Sequence, residues 1–96
     1  MIIKIVEYEI KEGKLQVVKA AIEKFTKTIQ SHEPQTFYEA YQREDSLEFV
    51  HIMKFPDAAA EEAHKGAEYT QDFVKILYPR CEIKPQFTNL TTIGFE

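Results

Sequence analysis

Three histidines, one cysteine and five tyrosines are the side chains of this 96-residue chain best suited to acid–base, nucleophilic or ligand-holding chemistry. His32, His51 and His64 stand 19 and 13 residues apart, with neither a cysteine pair nor an HExxH pattern near them. That spacing gives no zinc site. No glycine-rich dinucleotide or phosphate loop occurs either, so the residues point to no metal and no bound cofactor. Cys81 is a lone thiol at the turn into a last strand, where such a residue is more often inert than nucleophilic. His64 falls one turn after Ala60 and just before Ala67, at the edge of an apolar helical stripe. An imidazole there suits the roles of acid, base or hydrogen-bond donor; the plainer alternative is a half-buried ring bonded to a carbonyl or a water. His51 lies on an apolar strand face between Phe49 and Met53. It lines a cavity if that face meets helices, and an interface if it meets another sheet. Tyr8, Tyr38, Tyr41 and Tyr69 offer polar tips on apolar bodies, and Glu7 and Glu39 would be costly inside without partners, which places them toward an edge, with a pocket carboxylate as the alternative.

The elements that hold these residues follow from hydrophobic spacing. Residues 2–10 are rich in β-branched and aromatic side chains and predict a strand, broken at Gly13. Leu15, Val18, Ile22, Phe25 and Ile29 advance by threes and fours, which predicts a helix over about residues 14–31, stopped by Pro34. Residues 36–43 and 47–55 predict two antiparallel strands joined by the polar turn Glu44-Asp45-Ser46. Asp57 is a natural N-cap for a second helix running to about Tyr78, with a kink or break at Gly66. Residues 81–93 predict a final strand that Pro85 confines to an edge or a bulge. The order β-α-β-β-α-β is the ferredoxin-like, α+β arrangement: a four-stranded antiparallel sheet with two helices on one face.

Length and composition bound the function. Residues 1–96 make one domain, with 44% hydrophobic residues and 29% charged. No apolar run approaches the roughly 20 residues of a membrane span. Twelve Lys and Arg against 16 Asp and Glu leave a net charge of −4, a poor fit to nucleic acid or an anionic membrane. The lone cysteine and an early-charged N-terminus favour a reducing, cytoplasmic setting. Strands one and three carry apolar residues on both faces: Val6 and Tyr8 against Ile3 and Ile5, and Phe49, Met53 and Phe55 against Val50 and Ile52. A wet second face would expose more apolar area than a monomer normally tolerates. Sheet-to-sheet packing in a homodimer resolves this; a C-terminal strand folded back over that face is the alternative.

The turn Glu12-Gly13-Lys14 before an amphipathic helix, the tyrosine-bearing strand pair, and Phe55-x-Asp57-x-x-Ala60-x-x-x-His64 followed by Tyr69 and Phe73 together resemble the antibiotic-biosynthesis-monooxygenase (ABM) family over roughly residues 2–93. The resemblance implies a dimeric α+β barrel, with a small pocket between each sheet and its own helices. It also implies a catalytic role for His64 with help from Tyr69, and pocket positions for His51, Tyr8, Tyr38, Phe55 and Phe73. Some family members oxygenate aromatic polyketides with O2 and no flavin or metal, others degrade haem, and others isomerise a small phosphorylated molecule. The chain has no Trp, and it carries Val74 where the haem-degrading branch has an axial histidine, which disfavours haem degradation. Strand one also lacks the asparagine that several oxygenating members use. The leading expectation is a cofactor-free monooxygenase acting on a small aromatic or quinone-like molecule. An isomerase or other acid–base enzyme on the same scaffold is one alternative. A non-catalytic ligand-binding module is another, and the lack of a cavity on the scale of about 300 Å3 would favour it.

Overall fold

The structure, a computed structural model, describes residues 1–94; the last two positions of the expected 1–96 domain lie outside the described residues. Strand β1 spans Ile2–Ile10, helix α1 Leu15–His32, β2 Phe37–Gln42, β3 Glu48–Phe55, α2 Ala58–Gly66, α3 Glu68–Leu77, and β4 Cys81–Leu90 after a single 3-10 turn at Tyr78–Arg80. The four strands form one antiparallel sheet in the order β2-β3-β1-β4, the ferredoxin-like topology. Among the described residues no helix is long and apolar enough to cross a membrane.

Local chemistry explains the elements. Gly13 takes φ +84°, which an L side chain resists, and so turns the chain into α1. The apolar stripe buries Val18, Ile22, Phe25 and Ile29, each worth about 1.5–3 kcal/mol. Phe25 stacks on Phe73 of α3 with ring centroids 4.3 Å apart. The β2–β3 turn lacks glycine because Asp45 accepts φ 54°, a conformation that Asp visits more readily than most residues. Asp57 caps α2 by accepting from the Ala60 N–H at 2.8 Å, as the sequence predicts.

The second helix is two. It breaks at Ala67, where ψ swings to 143°, directly after Gly66; α3 then restarts at Glu68. The final strand stops at Leu90 rather than running to residue 93. Leu90 pairs with Ile3, near the start of β1, so the next residues have little strand left to join. Within β4 the register slips: Glu7 pairs with Gln86 and Glu9 with Ile83. Lys84 and Pro85 therefore stand opposite Tyr8 alone, a bulge on an edge strand where proline's missing N–H does no harm.

Pairing also sorts the two faces. Val6, Tyr8, Ile10, Phe49, His51, Met53 and Phe55 are buried under the helices. The outer face carries Ile3, Ile5, Val50 and Ile52 across its middle, half-buried by one another, while Phe37, Tyr41, Ile83 and Leu90 toward its margins are exposed. Glu7 and Glu39 lie on this outer face, Glu7 paired with Arg43 at 3.0 Å in an exposed bridge of small energetic weight.

Candidate functional site

The ambiguity over His51 is settled by register. His51 pairs with Val6 on one side and Ala40 on the other, so its ring points to the helix-covered side. It lines a cavity of about 370 Å3 between the sheet and the helices, within the size range of small-molecule sites. Tyr8, Tyr38 and Phe55 reach this cavity from the strands, and Phe73 and His64 from the helices.

Two polar clusters are built into its surroundings. In the first, His51 is 1% exposed and lies between two phenols: Tyr8 Oη is 2.7 Å from Nε2 and Tyr38 Oη is 2.7 Å from Nδ1. Burial pushes the His51 pKa down to about 4, so the ring is neutral at physiological pH. Burial also raises Tyr8 and Tyr38 well above the ordinary phenol value, with the Glu33 charge adding to the effect on Tyr38. All three groups are held in uncharged form.

The second cluster joins three elements. Pro34 ends α1, and Glu33 is the last residue before it. The Glu33 backbone is pinned on both sides, its N–H donating to Ile29 O at 2.7 Å and its carbonyl accepting from Thr36 N at 3.0 Å. Its side chain reaches across to α2 and α3. His64 Nδ1–H donates to Glu33 Oε2 at 2.8 Å and the Tyr69 hydroxyl donates to the same oxygen at 2.5 Å. With Nδ1 engaged, Nε2 is the His64 nitrogen left without a partner among the described residues. A carboxylate that fixes the tautomer and ring orientation of an imidazole is the arrangement that prepares the other nitrogen to take a proton. The Tyr38 ring lies between the clusters, with centroids 5.6 Å from His51 and 5.8 Å from His64.

Tyr69 contributes differently from the others. It is absent from the cavity wall, and its hydroxyl is committed to Glu33. Desolvation, then that hydrogen bond and charge, push its pKa up to about 12. It steadies the carboxylate and touches the site through it. His32 is exposed and bonded to the Thr28 carbonyl at 3.0 Å. Cys81 is buried, its thiol 3.4 Å from the Leu77 carbonyl and its pKa raised by burial. No group of three or more His, Cys, Asp or Glu residues is placed to hold a metal among the described residues.

Residues 1–76 match the sequence profile of the antibiotic biosynthesis monooxygenase family, and that span carries β1 through all but the last residue of α3, with every polar side chain of the two clusters. The chain belongs to the ABM family. No curated protein shows significant sequence similarity to it. Solved structures share the fold closely. A crystal structure of an antibiotic biosynthesis monooxygenase superposes with a TM-score of 0.88 at 19% identity, covering 98% of this chain and 100% of that one. A protein from Caulobacter crescentus, provisionally assigned to the same family, gives 0.88 at 13% identity over 97% of this chain and 90% of its own. One from Nitrosomonas europaea, also provisionally assigned, gives 0.85 at 18% identity over 98% and 100%. At such identities the likeness concerns the fold, and the chemistry of this ABM domain rests on its own side chains.

Several of those side chains escape a sequence reading. Glu33 is legible there only as part of a helix stop. Thr70, on α3, has a buried hydroxyl without a protein partner and lines the cavity. Lys4 and Glu61 form an ion pair in the wall of the cavity. Lys65 lies 3.8 Å from the same carboxylate, and the Lys4 hydrogen bond, with the nearby positive charges, holds Glu61 below its ordinary pKa. The alternation of β1 does place Lys4 with Ile2 and Val6; its partner on α2 has no comparable signal.

Proposed function

We propose that this ABM domain is a small homodimeric enzyme that oxygenates a small aromatic, quinol-like molecule with O2, without a tightly bound cofactor, and that His64 moves the proton. The observation that carries this reading is His64 on the wall of a largely apolar cavity, held from behind by Glu33 through Nδ1 and with Nε2 unengaged. In such a site a neutral imidazole backed by a carboxylate accepts a proton from a bound phenol or from an activated ring CH2. The anion formed is shielded from water by Phe25, Phe55 and Phe73 and transfers one electron to O2. The substrate radical and superoxide combine into a peroxide at the ring carbon. That peroxide takes its proton back from His64 and loses water, so that CH2 and O2 become C=O and H2O.

The homodimer is part of the proposal. The apolar middle of the outer sheet face, Ile3, Ile5, Val50 and Ile52, supports sheet-to-sheet packing with a second copy. A lone buried cysteine suits a reducing compartment such as the cytoplasm.

The test is His64→Ala assayed by oxygen uptake on a panel of quinols. Turnover falls by at least about 100-fold, in line with removal of a general base; intact turnover removes the role given to His64. Proton transfer without oxygen, as in an isomerase, uses the same imidazole and carboxylate, and product formation without oxygen uptake identifies it.

A further inference from the structure

We propose that the Tyr8–His51–Tyr38 row is a hydrogen-bond donor site that holds a carbonyl oxygen of the ligand. This deepens the function proposed above, because it names the substrate atom that fixes orientation; it rests on that reading only for which end of the molecule reacts at His64.

A neutral imidazole brings one N–H and each phenol brings one O–H, three donors in all. The row makes two hydrogen bonds, Tyr8 Oη to Nε2 and Tyr38 Oη to Nδ1, both 2.7 Å. If Nδ1 carries the proton it donates to Tyr38, Tyr8 donates to Nε2, and the Tyr38 O–H has no acceptor. If Nε2 carries it, the roles reverse and the Tyr8 O–H is left over. A doubly protonated ring would leave both phenols with spare protons. So every protonation pattern in which both bonds survive and both tyrosines are neutral leaves at least one phenolic O–H uncommitted.

An O–H buried without an acceptor is unfavourable enough that native proteins rarely leave one. Neither hydroxyl has another acceptor among the described residues, and both tyrosines line the cavity. The uncommitted proton therefore has its acceptor in the cavity. Three apolar side chains of similar volume would fill the same space with no polar group to satisfy. The surrounding wall, Val6, Met53 and Phe73, is apolar, and the row itself carries no negative charge to hold an ammonium group. Of the carboxylates nearby, Glu33 lies outside the cavity wall and takes His64 and Tyr69 on Oε2, its Oε1 being buried without a partner, and Glu61 in the wall is paired with Lys4. The chemistry that fits is a one- or two-ring molecule bearing an uncharged carbonyl, whose oxygen gains negative charge as its neighbour is deprotonated and is then held more strongly.

The test uses the whole chain with two probes that differ by that one oxygen, 1-tetralone and tetralin. Tetralone binds about three- to tenfold more tightly, the worth of one added hydrogen bond. Isotope-edited infrared difference spectra place its bound carbonyl stretch below the value in cyclohexane. The shift disappears in the double variant Tyr8→Phe/Tyr38→Phe and persists in His64→Ala. Equal affinity for the two probes, no saturable binding of tetralone, an unshifted carbonyl, or a shift that survives in a folded double variant each overturns the proposal. Should the double variant fail to fold, the wild-type spectrum and affinity ratio decide alone. A shifted carbonyl in a protein that consumes no oxygen with any quinol leaves this donor site standing and removes the oxygenase reading.

Discussion

Acidification should destabilise this protein through His51 before the carboxylates respond fully, and the size of the effect follows from the burial of that ring. The histidine titrates at 6.5 in its ordinary state and at about 4 between its two tyrosines. The folded value is depressed, so between the two values the unfolded chain binds a proton that the native state refuses. Stability is therefore complete above pH 6.5 and falls as pH drops toward 4. Integration gives a loss of about 1.4 kcal/mol by about pH 5.5 and about 2.5 kcal/mol by about pH 4.5. Urea denaturation measures this directly. For a slope of about 1.5 kcal/mol/M, the midpoint moves down by roughly 1.7 M between about pH 7.5 and about pH 4.5. Glu61, whose pKa is lowered by Lys4, loses its contribution in the same direction but in a more acidic window. The diagnostic quantity is therefore the difference between wild type and His51→Gln, which removes the titration and keeps a donor and an acceptor. The variant should be less stable at neutral pH and much flatter across this range. Parallel pH profiles for the two proteins would refute the assignment of a neutral, desolvated imidazole.

Two further outcomes test the site and the assembly. Glu33→Gln should lower kcat by about ten- to 100-fold with little change in KM, because Glu33 orients His64 without lining the cavity; steady-state kinetics by oxygen uptake reads this, and an unchanged kcat removes Glu33 from the machinery. Ile52 pairs with Ile5 and Glu39 in the middle of the outer sheet face, so Ile52→Lys should leave the circular dichroism spectrum intact and convert a sedimenting dimer into a lone protomer. A wild-type chain that already sediments as a lone protomer at micromolar concentration contradicts sheet-to-sheet pairing.

The fold was largely readable from spacing. The threes and fours from Leu15 to Ile29 set α1, Asp57 announced α2, and Gly66 marked the break that α2 and α3 show. What spacing left open was the face of β3. Both its sides are apolar, Phe49 and Met53 on one and Val50 and Ile52 on the other, so alternation alone does not say which meets the helices; only the pairing of His51 with Val6 decides it. Glu33 was invisible for a different reason. It lies in the connection after α1, where periodicity carries no information, and its partners are 31 and 36 residues away. Tyr69 illustrates the same limit. Its distance from His64 along the chain spans the break at Ala67, so a helical-face argument does not carry across, and the two meet through a carboxylate from elsewhere.

The bulge opposite Tyr8 bears on how copies of this chain avoid one another when they should. Edge strands offer unpaired peptide groups that can template endless stacking into fibres. Here β4 carries a proline that cannot donate and a local distortion that spoils a straight rim, while the opposite rim, β2, is only six residues long. With both rims poor templates, open-ended stacking through the sheet edges is discouraged.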